Sequence, residues 1–365
     1  MEGYSYQFVA LRGIQAGYEY YVAMCPIKLV PRLFRFDEEE LPAELRAQRT
    51  LNRARIPEIS RYILNNPSNY TFSSITACID GDVVFEPFES HGFGRSAGLL
   101  SMPMSCEIVI NDGQHRRAAI EQALKEKPSL GDETISVVFF RDAGLKRSQQ
   151  MFADLNQHAV RPTRSIGILY NHRDPLARLC VALTKKAPIF QGRIETEKSS
   201  ISNRSRKLFT LSGLYQASQA LLNKKAETAT SDEDLQRSIQ YWTRLGEVIH
   251  EWRLVIQNEV TASVLRKEYV HVHGVMLHAL GYIGRTLIEE HPEEWRTRLQ
   301  PLGKVNWLRT NSEWEGRAIV NGRMSKMGDS VPLTVNKLKM ILNLPLNAND
   351  QTAEDRFQNT GDDNK

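Results

Sequence analysis

A chain of 365 residues is long enough for two domains, and its 41% hydrophobic and 25% charged residues exclude global disorder and fibrous architecture. The formal charge of +4 leaves polyanionic partners open. No apolar run approaches the roughly 18 residues of a membrane span, and MEGYSYQF lacks the basic-then-apolar layout of a signal peptide, so a cytoplasmic location with no membrane partner is expected.

The opening segment YSYQFVALRGIQAGYEYYVAMCPI alternates apolar and polar residues around Gly13 to Gly17, which predicts two strands joined by a hairpin. Residues 37–66 change character: Ile56, Ile59, Tyr62 and Ile63 fall at helical spacing, and Asn65, Asn66 and Pro67 give a firm stop. TFSSITACIDGDVVFEPF predicts a second hairpin turning at Asp80 and Gly81. CEIVI is a short strand, NDG turns the chain, and QHRRAAIEQALKEK is a helix that ends at Pro128. TISVVFF is a further strand, followed by LKRSQQMFADLNQHAV as a helix. Strands alternating with helices predict a mixed α/β domain over 1–172.

From there the texture is helical. DPLARLCVALTKKA, KLFTLSGLYQASQALLNKK, DEDLQRSIQYWTRLGEVIHEWRLVIQNEV and VHVHGVMLHALGYIGRTLIEE carry helical apolar spacing, which predicts a helical domain with basic loops over 173–346 and an α+β chain as a whole. Asn347 to Lys365 holds five acids against two bases with few large apolar residues and reads as a disordered acidic tail. Cys25, Cys78, Cys106 and Cys180 are scattered, so buried free thiols are expected.

The densest polar chemistry lies in INDGQHRRAAI. A strand that ends in a glycine turn and opens a helix presents free backbone N–H groups at the positive end of the helix dipole. Gly113 permits close approach, while Arg116 and Arg117 offer planar forks for phosphate oxygens. Asp112 reads either as a helix cap or as a ligand for a metal or a ribose hydroxyl. There is no GxxxxGK[ST] and no GxGxxG, so neither an ordinary P-loop nor a Rossmann turn has support.

This segment resembles the signature of the DGQHR-domain family, and the likeness extends through FADLNQHAVRPTRS and the Trp/Arg-rich stretch near the C-terminus to nearly all of the chain except the tail. The chain resembles, within it, the DndB family of bacterial DNA phosphorothioation systems. That resemblance implies an N-terminal ParB/sulfiredoxin-like domain in which a Gly-x-x-Arg turn binds nucleotide phosphate, a pattern matched by Gly113 and Arg116. Gln114 stands where sulfiredoxin has its catalytic cysteine, followed by His115, which rules out sulfiredoxin chemistry. Asn156 sits where ParB has its second motif, but Leu155 replaces the ParB glutamate and Arg161 lies five residues on. The implied ligand is a nucleotide, ATP or CTP, with Mg2+, or none.

His158, Arg161 and Arg164 follow Asn156 closely, suited to closing over a nucleotide or touching DNA phosphate; cations favoured at a helix end before Pro162 are the plainer alternative. From Arg141 to Lys207 the chain carries fourteen Lys or Arg against five Asp or Glu. Within it, SNRSRK brings Arg204, Arg206 and Lys207 with no acid, as a phosphate-contacting loop would. Between Trp295 and Lys326 seven cations meet two acids; Trp295, Trp307 and Trp314 are expected in a core, with Arg309, Arg317 and Arg323 exposed. His271, His273 and His278 lack the HExxH arrangement and read as satisfied histidines, with no metal site assigned.

Three functions follow. The resemblance implies a regulator that binds duplex DNA at the promoter of a phosphorothioation gene cluster and represses it, with a phosphate site at Gly113, Gln114, Arg116, Arg117, Asn156, His158 and Arg161. The alternative is an NTPase or DNA-nicking phosphodiesterase using Asp112 and His115 for metal and acid–base work. The third is a scaffold for other phosphorothioation proteins. A second copy of the chain is a further candidate partner.

Overall fold

The computed structural model describes residues 4–34, 52–141, 150–151, 153–155, 162–226 and 228–362, and the chain divides into two compact units, Met1–Val160 and Arg161–Lys365. The division therefore falls some way before the boundary expected at 172. A short helix, α3 below, is already part of the second unit.

The first unit is built on a seven-stranded mixed sheet in the order β4-β5-β1-β2-β7-β3-β6. Its strands are β1 (Ser5–Gln15), β2 (Tyr18–Pro26), β3 (Ile75–Asp80), β4 (Val84–Pro87), β5 (Ala97–Pro103), β6 (Glu107–Asp112) and β7 (Thr134–Arg141). The predicted first hairpin forms, with Ala16 and Gly17 both at positive φ between β1 and β2. Period-two alternation turns Phe8, Ala10, Tyr21, Ala23 and Cys25 to one face, where they pack with Ile75, Val137, Phe139 and Ile120. The helices α1 (Arg55–Asn65) and α2 (Gln114–Glu126) contribute Ile63, Ile120 and Ala123 to the same core. Part of the helix expected over 37–66, and most of the one expected after residue 144, lie outside the described residues.

The second predicted hairpin is overturned. β3 pairs with β6 and, in parallel, with β7, whereas β4 pairs with β5 at the opposite edge. The burial of the two runs explains this: Ile75, Ala77, Cys78 and Ile79 are buried and need cover from strands on both sides, while β4 is mostly exposed and suits an edge. Gly81, at φ +141, redirects the chain rather than reversing it.

The second unit is helical. Its elements include α3 (Arg164–Tyr170), α4 (Pro175–Lys186), α5 (Leu211–Leu222), α6 (Asp232–Val248), α7 (His250–Ile256), α8 (Ala262–Glu268), α9 (Gly274–Glu290), α10 (Ser330–Ile341) and α11 (Ala348–Asp362). The central pair is α5 and α9, which approach so closely that a Cβ on Gly281 would stand 2.3 Å from the Ala217 carbonyl. The long helix predicted from Asp232 breaks at Ile249, whose extended backbone buries its own side chain and lets Trp252 turn into the core. Two minimal sheets, β8 (Ile194–Glu195) with β9 (Phe209–Thr210) and β10 (Ile319–Val320) with β11 (Arg323–Met324), complete the unit.

The C-terminal segment is a correction to the sequence expectation. Instead of a disordered tail it forms α11, and its Glu354, 1% exposed, makes a bidentate ion pair at 2.7 Å with Arg317. Phe357 lies under the Arg317 guanidinium, 4.7 Å from ring centroid to Cζ. Asp350 adds an ion pair with Lys339 at 2.6 Å, so a few individual contacts anchor a segment whose average composition looked too polar to fold.

No helix among the described residues is long and apolar enough to cross a membrane. Cys25, Cys78 and Cys180 are buried and Cys106 is partly exposed; burial pushes the Cys25 and Cys180 thiols up to about 12.

Candidate functional site

The DGQHR turn has the predicted strand, turn and helix form. β6 ends at Asp112, Gly113 takes φ +112, and α2 begins at Gln114 with no side chain capping it. The first helical bond runs from the Arg117 N–H to the Gly113 carbonyl, at 2.9 Å, so the amides of Gln114, His115 and Arg116 precede the ladder. Asp112 is thus not the cap. Its carboxylate instead accepts from Arg116 Nη2 at 2.5 Å, and the other Arg116 nitrogen donates to the Ser73 carbonyl at 2.9 Å and to the Ser73 hydroxyl.

Arg117 is committed inward. Its Nε donates to the Phe34 carbonyl at 2.9 Å, Nη2 to the Pro31 carbonyl at 3.0 Å, and Nη1 pairs with Glu121 at 2.5 Å. Two of its nitrogens tie α2 to the carbonyls of Pro31 and Phe34 and the third pairs within α2, which leaves no part of the fork unengaged for the phosphate contact expected of it. Gln114 is buried and donates to the Ile110 carbonyl at 3.4 Å. His115 Nε2 accepts from the Asn52 N–H at 2.9 Å, and burial together with Arg55 lowers its pKa against the opposing pull of Asp112. The lone pair of His115 and the charge of Asp112, the acid–base pair drawn from the sequence, are thus both engaged by neighbouring groups. A phosphate role for the turn is left to the three amides and to what Arg116 can spare. Asn156, His158 and Arg161 lie outside the described residues. Among those described, no group of three or more His, Cys, Asp or Glu could hold a metal ion.

In the second unit the structure gathers what the sequence scatters. Arg266 on α8 donates to four carbonyls of one loop: Ser202 at 2.9 Å, Asn203 at 3.1 Å, Ser205 at 2.9 Å, and Lys207. The fork thereby fixes the SNRSRK loop with Arg204 and Arg206 exposed, while Lys207 Nζ is tied to the Gly192 carbonyl at 3.1 Å. Arg309 packs beside α8, its N–H on the Glu268 carbonyl at 2.8 Å and its guanidinium reaching the carbonyls of Lys267 and Gly322 at 3.5 and 3.4 Å. Gly322 immediately precedes the exposed Arg323 of β11. Arg204, Arg206, Lys267, Arg309 and Arg323 therefore sit on segments that these bonds hold together, a belt of cations none of which, among the described residues, makes a salt bridge.

Arg317 is not part of that belt. It is 9% exposed and engaged with Glu354 and the Leu333 carbonyl, so its expected contact with DNA is corrected to a structural one. Arg164 is exposed at the start of α3, near enough to Lys326 and His278 to oppose a proton on either. The three tryptophans are buried as expected, with Trp307 and Trp314 stacked at 5.4 Å. His271 Nδ1 accepts from Trp252 Nε1 at 3.0 Å, and His273 Nε2 bonds the Arg266 carbonyl at 3.0 Å, so both serve the fold.

Two of these cations, Lys267 and Arg309, also line a cavity of about 680 Å³ that sequence reasoning missed, together with Ser199, Asn203, Arg266, His273 and others. Its walls come from three segments far apart in the chain, and no local motif marks them.

A family model described as DndB, DNA-sulfur modification-associated, matches residues 8–345. No curated protein and no solved structure matches the chain.

Proposed function

The chain belongs to the DndB family of DNA-sulfur modification-associated proteins, and on that premise we propose that it is a duplex-DNA-binding regulator of a phosphorothioation gene cluster, acting as a repressor of the modification genes. The observation that carries this reading is the belt of Arg204, Arg206, Lys267, Arg309 and Arg323, brought together from separate segments without a carboxylate partner among the described residues. Like charges so placed repel one another, and a polyanion relieves that repulsion. Duplex DNA presents about one charge per 1.7 Å of axis and releases condensed counterions when cations replace them.

Backbone contacts of this kind set affinity and register but carry little base information. Choice of site then rests on duplex shape, on a second copy of the chain, or on loop contacts to base edges. The test is a triple variant, Arg204→Ala with Arg309→Ala and Arg323→Ala, titrated against fluorescent duplexes. The reading expects affinity to fall at least tenfold on every sequence alike; unchanged affinity removes the belt from the interface.

A further inference from the structure

We propose that the cavity in the Arg161–Lys365 unit is a binding pocket for a nucleoside phosphate, separate from the DGQHR turn. Its volume of about 680 Å³ sits within the range of about 300–1,000 Å³ typical of small-molecule pockets. Three cations, Arg266, Lys267 and Arg309, line it, and no Asp or Glu does. Arg266 and Arg309 are bonded only to backbone carbonyls, and Lys267 makes no ion pair among the described residues, so the positive charge at the wall is not neutralised.

The start of α9 adds to the same wall. Gly274 opens this 17-residue helix behind His273, whose side chain does not cap it, and both residues line the cavity. His273 is held neutral, its pKa lowered to about 4 chiefly by burial. Lys326 Nζ stands 4.0 Å from where a Cβ on Gly274 would be, and partial desolvation with the nearby Arg164 guanidinium lowers it to about 8.

The size of the cavity points to a ligand larger than a free phosphate. Ile201 and the buried Leu208, Phe209, Val272 and Leu277 are among its lining residues, together with the hydroxyl-bearing Ser199, Ser200 and Ser263. A bare phosphate leaves most of this volume unfilled, whereas a nucleoside phosphate fills more of it, its sugar hydroxyls matched by Ser199, Ser200 and Ser263 and its phosphates by Lys267, Arg309 and the α9 amides. Because Lys267 and Arg309 also belong to the belt, a bound nucleotide opposes DNA, and DNA opposes the nucleotide by the same factor. That coupling rests on the DNA reading; nucleotide binding itself does not.

The experiment is calorimetric titration of the full chain, without DNA, against ATP, CTP and inorganic phosphate. A nucleoside triphosphate is expected to bind, with inorganic phosphate at least tenfold weaker. Ser263→Phe, which fills the cavity without changing charge, and Lys267→Ala, which removes charge without filling it, should each weaken the nucleotide at least tenfold, and Arg116→Ala should not. Absence of binding by the unsubstituted chain, binding that survives both cavity variants, or binding lost in Arg116→Ala alone overturns the proposal. Duplex affinity measured on the same proteins separates the two readings: if the triple belt variant keeps full DNA affinity while Ser263→Phe loses only the nucleotide, the DNA reading fails and the pocket stands.

Discussion

Arg266→Ala tests whether the belt is an assembled surface or a coincidence of exposed arginines. The substitution removes no residue of the belt itself. What it removes is the fork that holds four carbonyls of the SNRSRK loop. Hydrogen bonds from a charged donor contribute about 1.5–3 kcal/mol each, and since the loop carbonyls partly regain water, a net local loss of about 2–4 kcal/mol is expected. That is enough to release Arg204 and Arg206 from their fixed places. Five phosphate contacts predict a slope of log affinity against log salt of about −4.5, and losing two predicts about −2.7. Raising salt from about 50 to about 200 mM should therefore weaken the unsubstituted chain about 500-fold and the variant about 40-fold. Fluorescence anisotropy on a duplex measures both. Arg266→Lys, with three donors and no planar fork, should fall between them. A slope that stays near −4.5 in Arg266→Ala refutes the argument that this residue builds the surface.

Glu354→Ala breaks a buried ion pair with Arg317, whose side chains are 2% and 10% exposed; removing one partner of such a pair costs about 3–5 kcal/mol, and the denaturant midpoint should drop accordingly, whereas an unchanged midpoint would mean that α11 contributes nothing to the fold. Arg117→Ala leaves the Phe34 and Pro31 carbonyls without their donor and should cost about 2–4 kcal/mol of stability with duplex affinity unaltered; lost ligand binding at full stability would restore its phosphate role. Burial lowers His273 and His278 to about 4, whereas unfolded imidazole titrates near about 6.5. Between those values the unfolded chain binds more protons, so stability falls as pH drops through that window and is insensitive to these groups above it; denaturant midpoints at pH 7.5, 5.5 and 4.5 should decline in that order, more shallowly in His278→Gln, and a rise would reverse the sign.

Local pattern revealed what local physics decides. The first hairpin, the DGQHR strand, turn and helix, and the helical character of the second unit all follow from alternation, a glycine at positive φ, and apolar periodicity. Pairing was less visible: IDGDV reads as a hairpin because nothing in those residues says that β3 is claimed by β6 and β7. β5, a short run containing glycine, serine and proline, gave no signal of its own. At the site, chemistry was legible but commitment was not. Arg116, Arg117 and Arg317 look identical to Arg204 in a sequence, and only the fold shows which forks are spent on carbonyls and carboxylates and which face outward. The tail was misjudged by averaging, since Glu354 and Phe357 act as individuals.

The central claim is that the chain reads its own gene cluster's DNA. The most direct measurement is competition at about physiological salt between a duplex from the promoter of the phosphorothioation genes and an unrelated duplex of equal length. Specific regulators separate such duplexes by about 10³-fold or more. The account predicts a clear preference for the promoter, weakened on all sequences together when Arg204, Arg309 and Arg323 are replaced; equal affinity for both duplexes would contradict it.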